Sequence, residues 1–206
     1  MKLYLSSIRI PNPSSLSGLL GKPLTNVSVA LIPNAKDQYS QRPRDFLIND
    51  SVSSMQQLGL QVDVVDLRSY HDAETLRQKL ADYDLIWAIG GNTYMLRYEM
   101  QRSGFDQIIQ GLLDGGIVYG GDSAGALVAG PSIAGVESAD EPAFAETVIK
   151  EGMNLVPFVV MPHVDNPEFA DVMPIVRKLH EHMIELKDSQ AVIFDGDKHW
   201  IVDAEN

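Results

Sequence analysis

The feature that most restricts the fold of this chain is a series of short runs that are apolar at nearly every position rather than at alternate ones. Leu85–Ile89 and Val156–Met161 are the longest; further strand-length segments lie at Lys2–Ser7, Val27–Ile32, Gln61–Leu67, Gly116–Gly120, Gln190–Phe194 and His199–Asp203, and most of the central ones are continuously apolar. A strand with one face in water alternates apolar and polar residues, whereas a strand covered on both faces does not need to. The segments between them carry the period of a helix. Arg44–Leu58, Ala73–Asp82 and Gly104–Leu113 each place apolar residues three and four apart. A longer stripe runs over Glu168–Leu186 with Pro174 inside it, so that a kink or a late start is expected there. Pro11–Pro23 and Gly135–Pro142 read as loops. Strands alternating with helices predict an α/β fold, a doubly wound, mostly parallel sheet with helices on both faces. The 206 residues suffice for a single domain, 1–206.

Charge and composition narrow the class of function. Sixteen Lys and Arg stand against 28 Asp and Glu, a formal charge of −12 with no basic stripe, which argues against nucleic acid as a partner. No apolar run approaches the ~20 residues needed to cross a membrane. Met1–Leu5 is too short to be a secretory signal, so a cytoplasmic location is expected. The absence of cysteine removes disulfides, thiolate metal sites and a cysteine nucleophile together.

Chemistry concentrates where a buried run enters Gly121-Asp122-Ser123-Ala124-Gly125 and then an Ala/Leu/Val segment of helical character. This is G-x-S-x-G between a strand and a helix. A turn that tight requires small residues and lifts the serine hydroxyl above the sheet edge. Five histidines could supply a base. His163 follows the apolar run Phe158–Pro162, at the strand end where ligands of α/β sheets gather, whereas His71 lies in a polar loop, His180 and His182 on the long helix and His199 at the start of the C-terminal strand. A carboxylate must orient the imidazole. Glu137, Asp140, Glu141, Glu146, Glu151, Asp165 and Asp195 are all available, and spacing does not choose among them. Gly90-Gly91-Asn92-Thr93 ends another apolar run. Its paired glycines allow a backbone N–H to face an oxyanion opposite that of Ala124, while Asn92 or Thr93 could equally cap a helix.

Together these segments resemble the serine peptidase family of peptidase E, the aspartyl dipeptidase, whose fold is akin to class I glutamine amidotransferases. The resemblance rests on Val29–Pro33, Trp87–Thr93, Gly121–Ala126, Gly152–Pro157, Met161-Pro162-His163 and Trp200–Val202, and so extends over nearly the whole chain. It implies Ser123 as nucleophile and His163 as base. It implies Asp140, just ahead of Pro142, as the third member, with Glu137 and Asp195 in reserve. Gly91 and Ala124 would supply the oxyanion N–H groups, and Asn92 and Arg177 would contact substrate. The implied reaction is hydrolysis of short peptides through an acyl-enzyme, with no metal or cofactor, by a monomer or homodimer. Preference for an N-terminal aspartate would require a cation such as Arg177 or Arg97, because the segment after His163 is acidic. An α/β-hydrolase-type esterase and a non-catalytic amidotransferase-like binding module are the competing expectations.

Overall fold

Five of the apolar runs become parallel neighbours in the computed structural model, which describes residues 1–205. They are β1 (Lys2–Ser6), β2 (Ser28–Ile32), β3 (Gln61–Val64), β4 (Leu85–Ala88) and β5 (Val118–Asp122). Between them lie α1 (Pro13–Leu20), α2 (Gln41–Gln57), α3 (Ala73–Leu80), α4 (Thr93–Arg102) and α5 (Phe105–Asp114). After β5 come the short α6 (Ala124–Leu127), β6 (Val159–Met161), α7 (Met173–Leu179) and β7 (Met183–Glu185). The strands β8 (Gln190–Asp195) and β9 (Lys198–Asp203) then complete a seven-stranded sheet of order β3-β2-β4-β5-β1-β8-β9. In that sheet β8 is antiparallel to β1, and β9 to β8. The expected α/β architecture is therefore present.

Alternate side chains of each central strand enter different cores, which explains the unbroken apolar runs. On one face Tyr4, Val29, Leu31, Leu85, Trp87 and Ile193 pack with Leu16 and Leu19 of α1 and Ile48 and Met55 of α2. On the other, Leu3, Leu5, Ile32, Ile86 and Tyr119 pack with α3, α4 and α5. No helix among the described residues is long and apolar enough to cross a membrane.

Two expected elements differ. Part of the loop Pro11–Pro23 is helix α1, capped by the Asn12 side chain on the Ser15 N–H and begun by Pro13, whose missing N–H costs nothing in a first turn. At Asn92 the helix-capping alternative holds, and the residue opens α4. The long helix over Glu168–Leu186 is instead α7 followed by β7. Pro174 starts α7, and His180 ends it in an extended conformation. Met183, Ile184 and Leu186 match a helical stripe, but they also suit a short strand, and the open edge of β6 decides between the two. β6 and β7 pair in parallel as a separate two-stranded sheet, outside the main one.

Candidate active site

Strand β5 and helix α6 meet at Ser123, whose φ of 51° and ψ of −112° lie where a non-glycine residue is rarely found. Surroundings that over-determine a residue can hold such strain, at about 1–3 kcal/mol. Here the Ser123 N–H is tied to the Ser6 carbonyl at 3.1 Å, and Gly125 packs so tightly that a Cβ would run into the Ala88 carbonyl. The Oγ is thereby lifted off the sheet toward His163, 3.0 Å from its Nε2.

His163 leaves the end of β6 with φ 62° and is 8% exposed. Its backbone N–H donates to the Ser7 hydroxyl at 2.8 Å, and its ring stacks on Phe169 with centroids 4.4 Å apart. The carboxylate on its Nδ1 is that of Asp188, at 2.6 Å. The Ser7 hydroxyl donates to the same Oδ1 at 2.9 Å, and Asn166 Nδ2 donates to Oδ2 at 3.1 Å. Burial alone would raise the Asp188 pKa, but the bonds from His163, Ser7 and Asn166 more than offset this and hold it below the ordinary carboxylate value. An ionised acceptor on Nδ1 keeps the proton there and leaves Nε2 free to accept from Ser123.

This geometry corrects the expected third member. The Asp140 carboxylate lies against α4, accepting from the Thr93 N–H at 2.9 Å and from its hydroxyl. Glu137 accepts from the Gly135 N–H and Lys150. Asp195 pairs with Lys2, at the opposite end of β1 from Ser6 and hence away from Ser123, because β8 runs antiparallel. The same reversal puts the start of β8, and Asp188 just before it, at the Ser123 end. Asp188 escapes the sequence reading because the apolar positions of Met183–Glu185 also fit a helix. As a strand parallel to β6, β7 exits beside His163 and passes the chain directly to Asp188. The signal was present as a polar Lys187-Asp188-Ser189-Gln190 turn between two apolar runs. Nothing comparable marked Ser7.

Gly91 has φ 145°, and a Cβ there would collide with the Ala35 carbonyl. The neighbouring Gly90 N–H is bound by Asp122 Oδ2 at 3.1 Å, while Asp122 Oδ1 accepts from the buried Trp87 indole at 2.8 Å. Asp122 thus ties the elbow to the glycine turn and lines the cavity beside the one that holds Ser123. Its burial raises its pKa against those two hydrogen bonds. The N–H groups of Gly91 and Ala124 make no hydrogen bond among the described residues, and both residues line the pocket that holds Ser123.

The model of peptidase family S51 matches residues 13–202. The chain belongs to peptidase family S51. It is 35% identical over 131 residues to an uncharacterized peptidase of Listeria innocua serovar 6a, covering 62% of this chain and 61% of that protein. It is 31% identical over 168 residues to peptidase E of Shewanella sp. strain ANA-3, covering 80% of this chain and 66% of that one. The matched segments therefore span less than two thirds of those two relatives. The crystal structure of a candidate peptidase E protein from Listeria monocytogenes EGD-e superposes with a TM-score of 0.85 at 25% identity, over 99% of this chain and 98% of that one. The resemblance to the peptidase E family drawn from the motifs is borne out.

Other residues expected to serve this S51 chain as substrate contacts are engaged elsewhere. Asn92 is buried, its Oδ1 capping α4 at the Met95 N–H and its Nδ2 donating to the Glu141 carbonyl. Arg177 pairs with Glu185 at 2.7 Å on the surface. Arg97 is buried against Asp106 and the Glu151 carbonyl.

Proposed function

We propose that the chain is a serine peptidase that cleaves short peptides through an acyl-enzyme on Ser123. The observation that carries this reading is the continuous line from Ser123 Oγ through both ring nitrogens of His163 to Asp188, at 3.0 and 2.6 Å. His163 Nε2 takes the Ser123 proton as Oγ adds to the scissile carbonyl. Asp188 stabilises the imidazolium, and the N–H groups of Gly91 and Ala124 receive the oxyanion. Collapse breaks the C–N bond, and the leaving amine takes the proton from Nε2. Water, deprotonated by the same nitrogen, then releases the acyl group and restores Ser123. Family membership supports peptide over ester as substrate.

A fluorophosphonate should phosphonylate Ser123, located by peptide mass spectrometry, and Ser123→Ala should retain less than about a hundredth of the wild-type dipeptide hydrolysis. A wild-type protein that neither labels nor cleaves dipeptides would leave only a binding module. One that labels and hydrolyses esters but no peptide would be an esterase.

A further inference from the structure

The carboxylate expected to serve His163 occupies the site in another capacity. Asp140 lines the same pocket as Ser123 and Gly91, a space of about 250 Å³. Its Oδ2 takes both donors of Thr93, while Oδ1 has no hydrogen bond among the described residues. The Asp188–His163 pair leaves Asp140 without a part in proton transfer. The remaining walls include Leu127, Val136, Met161, Phe169 and Val172, and no lysine or arginine lines the pocket. Lys36 lines the neighbouring cavity behind Asp122 instead. A half-buried carboxylate in an apolar pocket is best matched by a cation brought by the ligand. A substrate carboxylate in the same place would meet the like charge of Asp140, and the Lys36 ammonium acts on that charge only from the neighbouring cavity.

We propose that Asp140 holds the free N-terminal ammonium of the substrate, and that the apolar walls take an uncharged, apolar first side chain rather than an aspartyl one. The inference rests on the reading of Ser123 as an acylated nucleophile. The ammonium lies one carbon from the carbonyl that Ser123 attacks, so a single pocket can hold both. Anchoring that amine would make the enzyme cleave after the first residue of a peptide.

The test uses Leu-Leu, Asp-Leu and N-acetyl-Leu-Leu with wild-type protein, Asp140→Asn and, as a control outside the site, Arg177→Ala. The wild type and Arg177→Ala should prefer Leu-Leu to Asp-Leu, and to the acetylated peptide, by roughly ten- to hundredfold in kcat/KM, the scale of one charge-assisted hydrogen bond. Asp140→Asn should lose most of the discrimination between free and acetylated amine, mainly through KM, while its Ser123 still reacts with a fluorophosphonate, which shows the site assembled. Equal cleavage of free and acetylated peptides by the wild type, or preference for Asp-Leu, would overturn the proposal while leaving the serine peptidase reading intact. So would an Asp140→Asn protein that loses activity on both peptides equally, since Asp140 would then act only by holding α4 and its loop. Absence of labelling and of all cleavage in the wild type would instead remove the parent reading.

Discussion

At the scale of single residues, two carboxylates that look interchangeable in the sequence should separate cleanly in kinetics. Asp188→Asn should lower kcat by up to ~10⁴ with little change in KM, because an amide facing Nδ1 favours the wrong imidazole tautomer. Asp195→Asn should leave kcat near wild type, since Asp195 sits beside Lys2 at the far end of β1. Dipeptide kinetics on the two variants checks both statements. Acid should separate them as well. Asp188 is held below its unfolded value of about 3.9, so the stability it contributes is present above that pH and is lost as pH falls through its lower folded value. The melting temperature of Asp188→Asn should therefore lie below wild type near neutrality and converge with it at strongly acid pH. Ser123 and His163 could be read from sequence because each ends an apolar run, where a buried strand must release the chain at the ligand-binding edge. Asp188 could not, because its place depends on the direction of β8 and the existence of β7, neither of which residue types alone dictate.

Elements show the same division between what periodicity settles and what packing settles. The central strands are buried on both faces and so wrote themselves into the sequence as unbroken apolar runs. Met183–Leu186 was ambiguous because a few apolar residues satisfy a stripe of either period, and only pairing with β6 resolves it. Helix α2 illustrates an energetic detail that hydrophobic pattern does not reveal. Its Arg44 is buried and donates to Asp37 at 2.6 Å and to Asp66 at 2.7 Å, fastening the helix to the segments after β2 and β3. The Asp37 side chain is only 2% exposed, and its other cation, Arg68, is 3.6 Å away. Arg44→Ala should therefore cost roughly 3–5 kcal/mol, the penalty for leaving a buried charge without its partner. Urea unfolding measures it. Arg44→Met together with Asp37→Asn should recover part of the loss, since the uncompensated charge is then removed too.

For the whole molecule, the arrangement of cores matters more than the number of sheets. The apolar cluster beneath the site is continuous from Ile86 and Tyr119 of the main sheet, through Ala126 and Leu127 of α6, to Val159–Met161 and Ile184 of the small one. Ser123 and His163 thus stand on one packed body, although different sheets carry them. Loss of peptidase activity in urea should coincide with the change in emission of the buried Trp87, whose indole is bonded to Asp122 beside Ser123. Activity lost well before the emission change would mean that the small sheet detaches first. The position of β1 has a consequence for biosynthesis. Strand β1 precedes both of its neighbours, β5 and β8, in the chain, with Ser6 beside Asp122 and Ala191, and Ser7 waits for Asp188. Synthesis runs from the N-terminal side, so β1 must stay unpaired on one edge until Gln190–Asp195 has been synthesised and has emerged. Nascent chains that end before residue 188 and are followed by a linker long enough to clear the exit tunnel should therefore fail to react with a fluorophosphonate even though Ser123 and His163 have both emerged, whereas chains tethered in the same way but ending beyond β8 should react.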